Sequence, residues 1–187
     1  MRKLIMLNLA SVDGCYAGAD GNVDWHNTDD EIMEYCVEVL KDVDTMLFGR
    51  VTYELYESYW PLVLADPDVS EHERTAARML GGLRKIVYTR SKKQSFWENS
   101  ELRGALDPTE IRQLKEQDGK DILVGGSGTI VHQLTSFGLI DEYQFIVIPV
   151  ILGAGRQIFG YAPQIELKNV KTKNFNSGNL LLVYQKA

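Results

Sequence analysis

Asp121-Ile122-Leu123-Val124-Gly125-Gly126-Ser127-Gly128-Thr129-Ile130-Val131-His132-Gln133-Leu134 is the stretch on which the reading of this chain turns. An apolar run breaks on glycines and continues with helical spacing, which predicts a strand, a tight turn and a helix start. Glycines let the backbone approach an anion closely and adopt positive φ, while the first N–H groups of a helix carry the positive end of its dipole. Gly125, Gly126, Ser127, Gly128 and Thr129 are therefore candidates for holding a phosphate. The run is neither a G-x-G-x-x-G fingerprint nor a Gly-Lys-Ser/Thr phosphate loop, and a strand-to-helix connection with no ligand is the competing reading.

Working outward, residues 3–9, 45–48, 85–88 and 122–124 read as four strands. Helical patterns lie between and after them: 29–40, 51–59 before Pro61, 70–80 before Gly81-Gly82, 109–117 before Gly119, and 130–137. A strand over 142–150, a Gly153-Ala154-Gly155 turn, and strands over 165–175 and 180–185 close the chain, the last two joined by the hairpin signal Asn176-Ser177-Gly178-Asn179. Alternation followed by a hairpin predicts an α/β fold, with a mixed, mostly parallel sheet flanked by helices and an antiparallel C-terminal hairpin. With 187 residues and no linker-like tract, residues 1–187 read as a single domain.

A content of 44% hydrophobic and 25% charged residues is ordinary for a globular protein. No apolar run approaches the roughly 18 residues that span a bilayer. Asn8, Ser11 and Asp13 interrupt the first apolar run too early for a secretory signal, so the expected location is cytoplasmic. A net charge of −6 argues against nucleic acid as a partner. Cys15 and Cys36 are expected as reduced thiols, and three dispersed histidines propose no metal site. The apolar strand over 145–152 motivates the expectation of a homodimer, because a sheet edge should not expose it.

Ligands of open α/β sheets gather at the carboxyl ends of strands. Four such ends carry glycine, hydroxyl or basic residues here: Ser11-Val12-Asp13-Gly14, Gly49-Arg50-Val51-Thr52, Thr89-Arg90-Ser91-Lys92-Lys93 and the glycine run. Arg50 at a helix start has the wrong charge for that dipole end, and an anion would offset the cost. Arg90 beside the hydroxyls of Thr89 and Ser91 suits a ribose phosphate.

These motifs in this order resemble the dihydrofolate reductase-like superfamily, and within it the C-terminal reductase domain of bacterial riboflavin biosynthesis proteins. Leu47-Phe48-Gly49-Arg50-Val51-Thr52-Tyr53-Glu54, Tyr59-Trp60-Pro61, Leu139-Ile140-Asp141-Glu142-Tyr143 and Pro149-Val150-Ile151-Leu152-Gly153-Ala154-Gly155 carry the likeness along with the glycine run. The resemblance implies a three-layer fold and a reductase that takes hydride from NADPH, similar to 5-amino-6-(5-phosphoribosylamino)uracil reductase. Its substrate would be a small pterin- or pyrimidine-like heterocycle or a carbonyl compound. It places Gly49, Arg50 and Thr52 at the cofactor phosphates, Thr89, Arg90 and Ser91 near the adenosine 2′-phosphate, and Gly125 to Thr129 under the pyrophosphate and nicotinamide. Asp13 and Asp30, with Asp29 and Glu31 beside the latter, are the nearest ionisable groups for protonating a substrate. The aromatics Trp25, Tyr53, Tyr56, Tyr59 and Trp60 could line a pocket for a planar ring. A second basic site for a ribosyl phosphate is not evident, since residues 25–40 contain His26 and no arginine. The alternative is a non-catalytic nucleotide- or ligand-binding protein that keeps the fold.

Overall fold

The computed structural model describes residues 1–160 and 162–187. The main sheet has the order β5-β4-β3-β6-β1-β7-β10-β9. Its strands are β1 (Leu4–Ser11), β3 (Val43–Gly49), β4 (Arg84–Tyr88), β5 (Ser100–Arg103), β6 (Asp121–Gly125), β7 (Glu142–Ile148), β9 (Leu167–Asn174) and β10 (Leu180–Lys186). A small second sheet pairs β2 (Cys15–Gly18) with β8 (Gly155–Gln157). Pairing is parallel from β5 through β7, and antiparallel for β7–β10 and β10–β9. The C-terminal hairpin closes as its sequence predicts, with Gly178 at φ +85° and the Phe175 N–H donating to the Asn179 carbonyl at 2.9 Å.

Side-chain alternation along the strands divides the core between two faces. Leu4 and Met6 of β1, Leu47 of β3, and Ile122 and Val124 of β6 pack with Ile111 and Leu114 of α4 (Pro108–Glu116) and Ile130, Val131 and Leu134 of α5 (Gly128–Ser136). Ile5, Met46, Phe48 and Leu123 point the other way. They meet Val37 and Leu40 of α1 (Asp30–Lys41), Tyr53 of α2 (Arg50–Val63), and Ala76 and Leu80 of α3 (Glu71–Gly82). The result is the three-layer arrangement implied by the resemblance.

Three differences from the expected elements have local causes. The helix expected over 51–59 runs to Val63 with Pro61 inside its last turn, where the buried Val63 anchors its end. β2, β5 and β8 are only three or four residues long, too short for a period to show. Strand β7 lies inside the sheet between β1 and β10, so the homodimer expectation loses the exposed strand on which it rested. The edge strand β9 instead carries Lys168, Lys171 and Lys173, which discourages further pairing.

Candidate functional site

The loops that leave β3 and β6, adjacent strands in the sheet, are tied to each other. The Gly49 N–H donates to the Ser127 hydroxyl and the Ser127 N–H donates to the Thr52 hydroxyl, both at 2.9 Å. Ser127 holds φ +36°, a left-handed conformation rare for a residue with a side chain, and these two bonds fix it there. Gly126, at φ +63°, would place a Cβ 2.9 Å from Cγ2 of Thr52, so the turn has no room for a side chain. Helices α1, α3 and α4 each have a side-chain cap, from Asp29, Ser70 and Asp107. Helices α2 and α5, begun by this cross-tied pair, have none and carry no acidic residue in the first turn. Two positive dipole ends therefore lie side by side without an internal anion.

Both helix starts open onto a cleft of about 840 Å³. It is lined by Gly49, Arg50, Thr52, Thr89, Arg90 and all of Gly125, Gly126, Ser127, Gly128 and Thr129. Ser91 lies outside, its N–H turned to the Thr89 hydroxyl at 3.3 Å. Lys92 is withdrawn as well, because its ammonium pairs with Glu57 at 2.8 Å beneath the loop. Arg50 already has a carboxylate, Glu54 one turn on at 2.6 Å, which offsets its position at the dipole end. Arg90 reaches the cleft from an exposed position.

The two carboxylates expected to deliver a proton stand outside the cleft lining. Asp13 accepts from the Ser11 hydroxyl at 2.6 Å and from the N–H groups of Leu152 and Gly153 at 3.1 and 2.9 Å. These bonds hold its carboxyl down at about 2, far from the range of a proton donor, and it stands outside the cleft lining. Its task is to pin the turn after β1 to the 149–153 loop. Asp30 is the exposed first residue of α1 and also lies outside the lining. Its neighbour Asp29 caps the helix through the Ile32 N–H, and Glu31 accepts from the Asn176 N–H and pairs with Lys173. The acidic start of α1 is capping chemistry.

Several cleft residues have no motif to announce them. Asn8, 1% exposed in β1, donates to the Gly126 carbonyl at 2.8 Å, while its Oδ1 is buried without a partner among the described residues. The Tyr88 hydroxyl and His26 Nε2 are likewise buried and unpartnered, and all three residues line the cleft. Burial costs such groups their water, so a bound polar ligand is a ready explanation for them. Burial also lowers the affinity of His26 for a second proton. Tyr16, from β2, lays its ring on the backbone of Gly128, where any Cβ would overlap it. Arg156 of β8 rests its guanidinium against Gly21 at the cleft wall.

A three-layer sheet of this order, with its cleft at the ends of β3 and β6, is the dihydrofolate reductase-like fold. The chain belongs to the RibD C-terminal domain family, which matches residues 2–181. It is 31% identical over 189 residues to the uncharacterized protein YyaP of Bacillus subtilis, covering 98% of this chain and 95% of that one. The structure is similar to that of a diaminohydroxyphosphoribosylaminopyrimidine deaminase/5-amino-6-(5-phosphoribosylamino)uracil reductase from Thermotoga maritima, with a TM-score of 0.67 at 18% identity. All of this chain matches 57% of that one. Dihydrofolate reductase from Enterococcus faecalis, complexed with NADP(H) and RAB-propyl, aligns with a TM-score of 0.62 at 15% identity, covering 98% of this chain and 96% of that one. Among the described residues no helix is long and apolar enough to cross a membrane.

Proposed function

We propose that this chain is an NADPH-dependent reductase acting on a small heterocyclic or carbonyl substrate. The observation that carries the reading is the pair of uncapped helix starts, α2 and α5, tied together at the mouth of one cleft. A dinucleotide pyrophosphate supplies the anion those dipole ends lack. Gly126, at φ +63°, gives the turn between strand and helix its left-handed step, and Arg90 on the same cleft is the group to read a 2′-phosphate. Asn8 Oδ1, a buried acceptor without a donor, fits an amide N–H such as that of a carboxamide. NADPH, when bound, supplies the hydride; the chain's part is to orient it, exclude water and place a proton. With Asp13 and Asp30 outside the cleft, that proton falls to a neutral group on its walls or to water.

The placement of those two carboxylates is also the observation that favours the second reading, a nucleotide-binding protein without catalysis. Titration of the purified protein with NADPH and with NADH, read through Trp60 at the cleft wall, tests the first reading. Saturable binding with NADPH preferred about tenfold or more is expected. No binding of either nucleotide would remove it, and binding without NADPH oxidation by any pterin, pyrimidine or carbonyl compound would leave the second.

A further inference from the structure

The cleft extends beyond the glycine turn, between the sheet and helices α1, α2 and α3. Helix α1 turns Met33, Cys36 and Leu40 toward it, a spacing of three and four that forms one stripe. Tyr56 and Trp60 of α2, Ala76 and Leu80 of α3, Met46 of β3 and Leu123 of β6 complete the walls. These side chains belong to one apolar cluster, apart from Cys36.

Charged groups are directed away from this end or already matched. Of the carboxylates on α1, Glu31 holds Asn176 and Lys173, Glu38 pairs with Lys41, and Asp30 and Glu34 are exposed. Glu73, at the first turn of α3, lines the cleft and accepts from the Tyr59 hydroxyl, so the carboxylate on this side would repel an entering anion. The arginines that border the cleft come from other elements or from the opposite end: Arg50 from the start of α2, Arg90 from the loop after β4 and Arg156 from β8. No lysine lines it among the described residues.

We infer that this inner end takes an uncharged, largely apolar ring compound presenting a C=O or C=N, and rejects one carrying a phosphate or carboxylate there. The carbonyl or imine part rests on the reductase reading; the charge selection does not. An anion entering here would give up its water and meet no counter-charge. Cys36, Tyr56 and His26, further polar groups of the lining, are neutral at pH 7. Burial pushes the Cys36 thiol and the Tyr56 hydroxyl up to about 12 and lowers His26. Tyr56 Oη, 3.8 Å from where a Gly125 Cβ would stand, and His26 Nε2 are left to hydrogen-bond a neutral heteroatom.

Calorimetric titration of the nucleotide-free protein at pH 7.5 with quinoxaline and with quinoxaline-2-carboxylate tests the selection. The neutral ring is expected to bind about tenfold or more tightly than its carboxylate. Met33→Lys, which adds a counter-charge to the stripe, should narrow that ratio at least fivefold by improving the carboxylate; Thr28→Lys at the exposed rim serves if Met33→Lys does not fold. Equal affinity, a preference for the carboxylate, or no quinoxaline binding at about millimolar concentration would overturn the inference. Because no nucleotide is present, those outcomes are separate from a failure to bind NADPH.

Discussion

The backbone N–H of Ser127 donates to the hydroxyl of Thr52 at 2.9 Å, so the residue that precedes α5 is positioned by the first turn of α2. Helix ends on two different β-α units thereby share one geometry. Thr52→Val keeps the shape of the side chain and removes the acceptor. It should lower stability by about 1–2 kcal/mol, the cost of a buried donor left unpaired, and weaken NADPH about tenfold. Chemical denaturation and nucleotide titration of the same sample check both.

Gly128 is helical, so alanine there meets no backbone penalty; the obstacle is the Tyr16 ring. Gly128→Ala should cost about 1–3 kcal/mol by overpacking. In the double variant with Tyr16→Ala most of that cost should disappear, since the two changes touch the same space. Additive losses in a double-mutant cycle would place the strain elsewhere.

Arg90→Ala should weaken NADPH by about 1.5–3 kcal/mol and leave NADH nearly unchanged, as expected for a charge-assisted contact to the 2′-phosphate. Comparing the two dissociation constants in wild type and variant is sufficient, and equal losses would move Arg90 away from that phosphate.

Asp13 is held at about 2 in the fold against an ordinary value of 3.8. Its folded pKa is depressed, so its contribution is complete above the unfolded value and disappears as pH falls from about 4 toward 2. Asp13→Asn should lower the thermal midpoint at pH 7 and flatten its dependence across that acid window. NADPH affinity should stay as in the wild type, because the carboxylate holds a turn outside the cleft lining.

The sheet, its hairpin and the glycine turn were legible because each rests on a local pattern: apolar runs of strand length, Ser177-Gly178-Asn179, and glycines at a strand end. Gly49, Arg50, Thr52, Thr89 and Arg90 were found from strand ends, since parallel strands must deliver their following loops to one side. Asn8 and Tyr88 could not be found this way. Asn8 sits within β1 and Tyr88 is the last residue of β4, and what marks them is a buried atom without a partner among the described residues, a property of packing between distant segments. The surroundings of Asp13 and Asp30 were not legible either: Asp13 accepts from the backbone N–H groups of Leu152 and Gly153, about 140 residues away in the chain, and the acidic residue that caps α1 is Asp29, with Asp30 exposed beside it.

The most direct test of the central claim, that the starts of α2 and α5 form one cradle for a nucleotide pyrophosphate, is an amide NMR titration of the ¹⁵N-labelled protein with NADPH. Amides of residues 49–52 and 126–130 should shift together and saturate with one dissociation constant, and a sample of Thr52→Val should lose affinity at both segments at once. Shifts confined to one segment, or saturable binding that leaves both unmoved, would contradict the account.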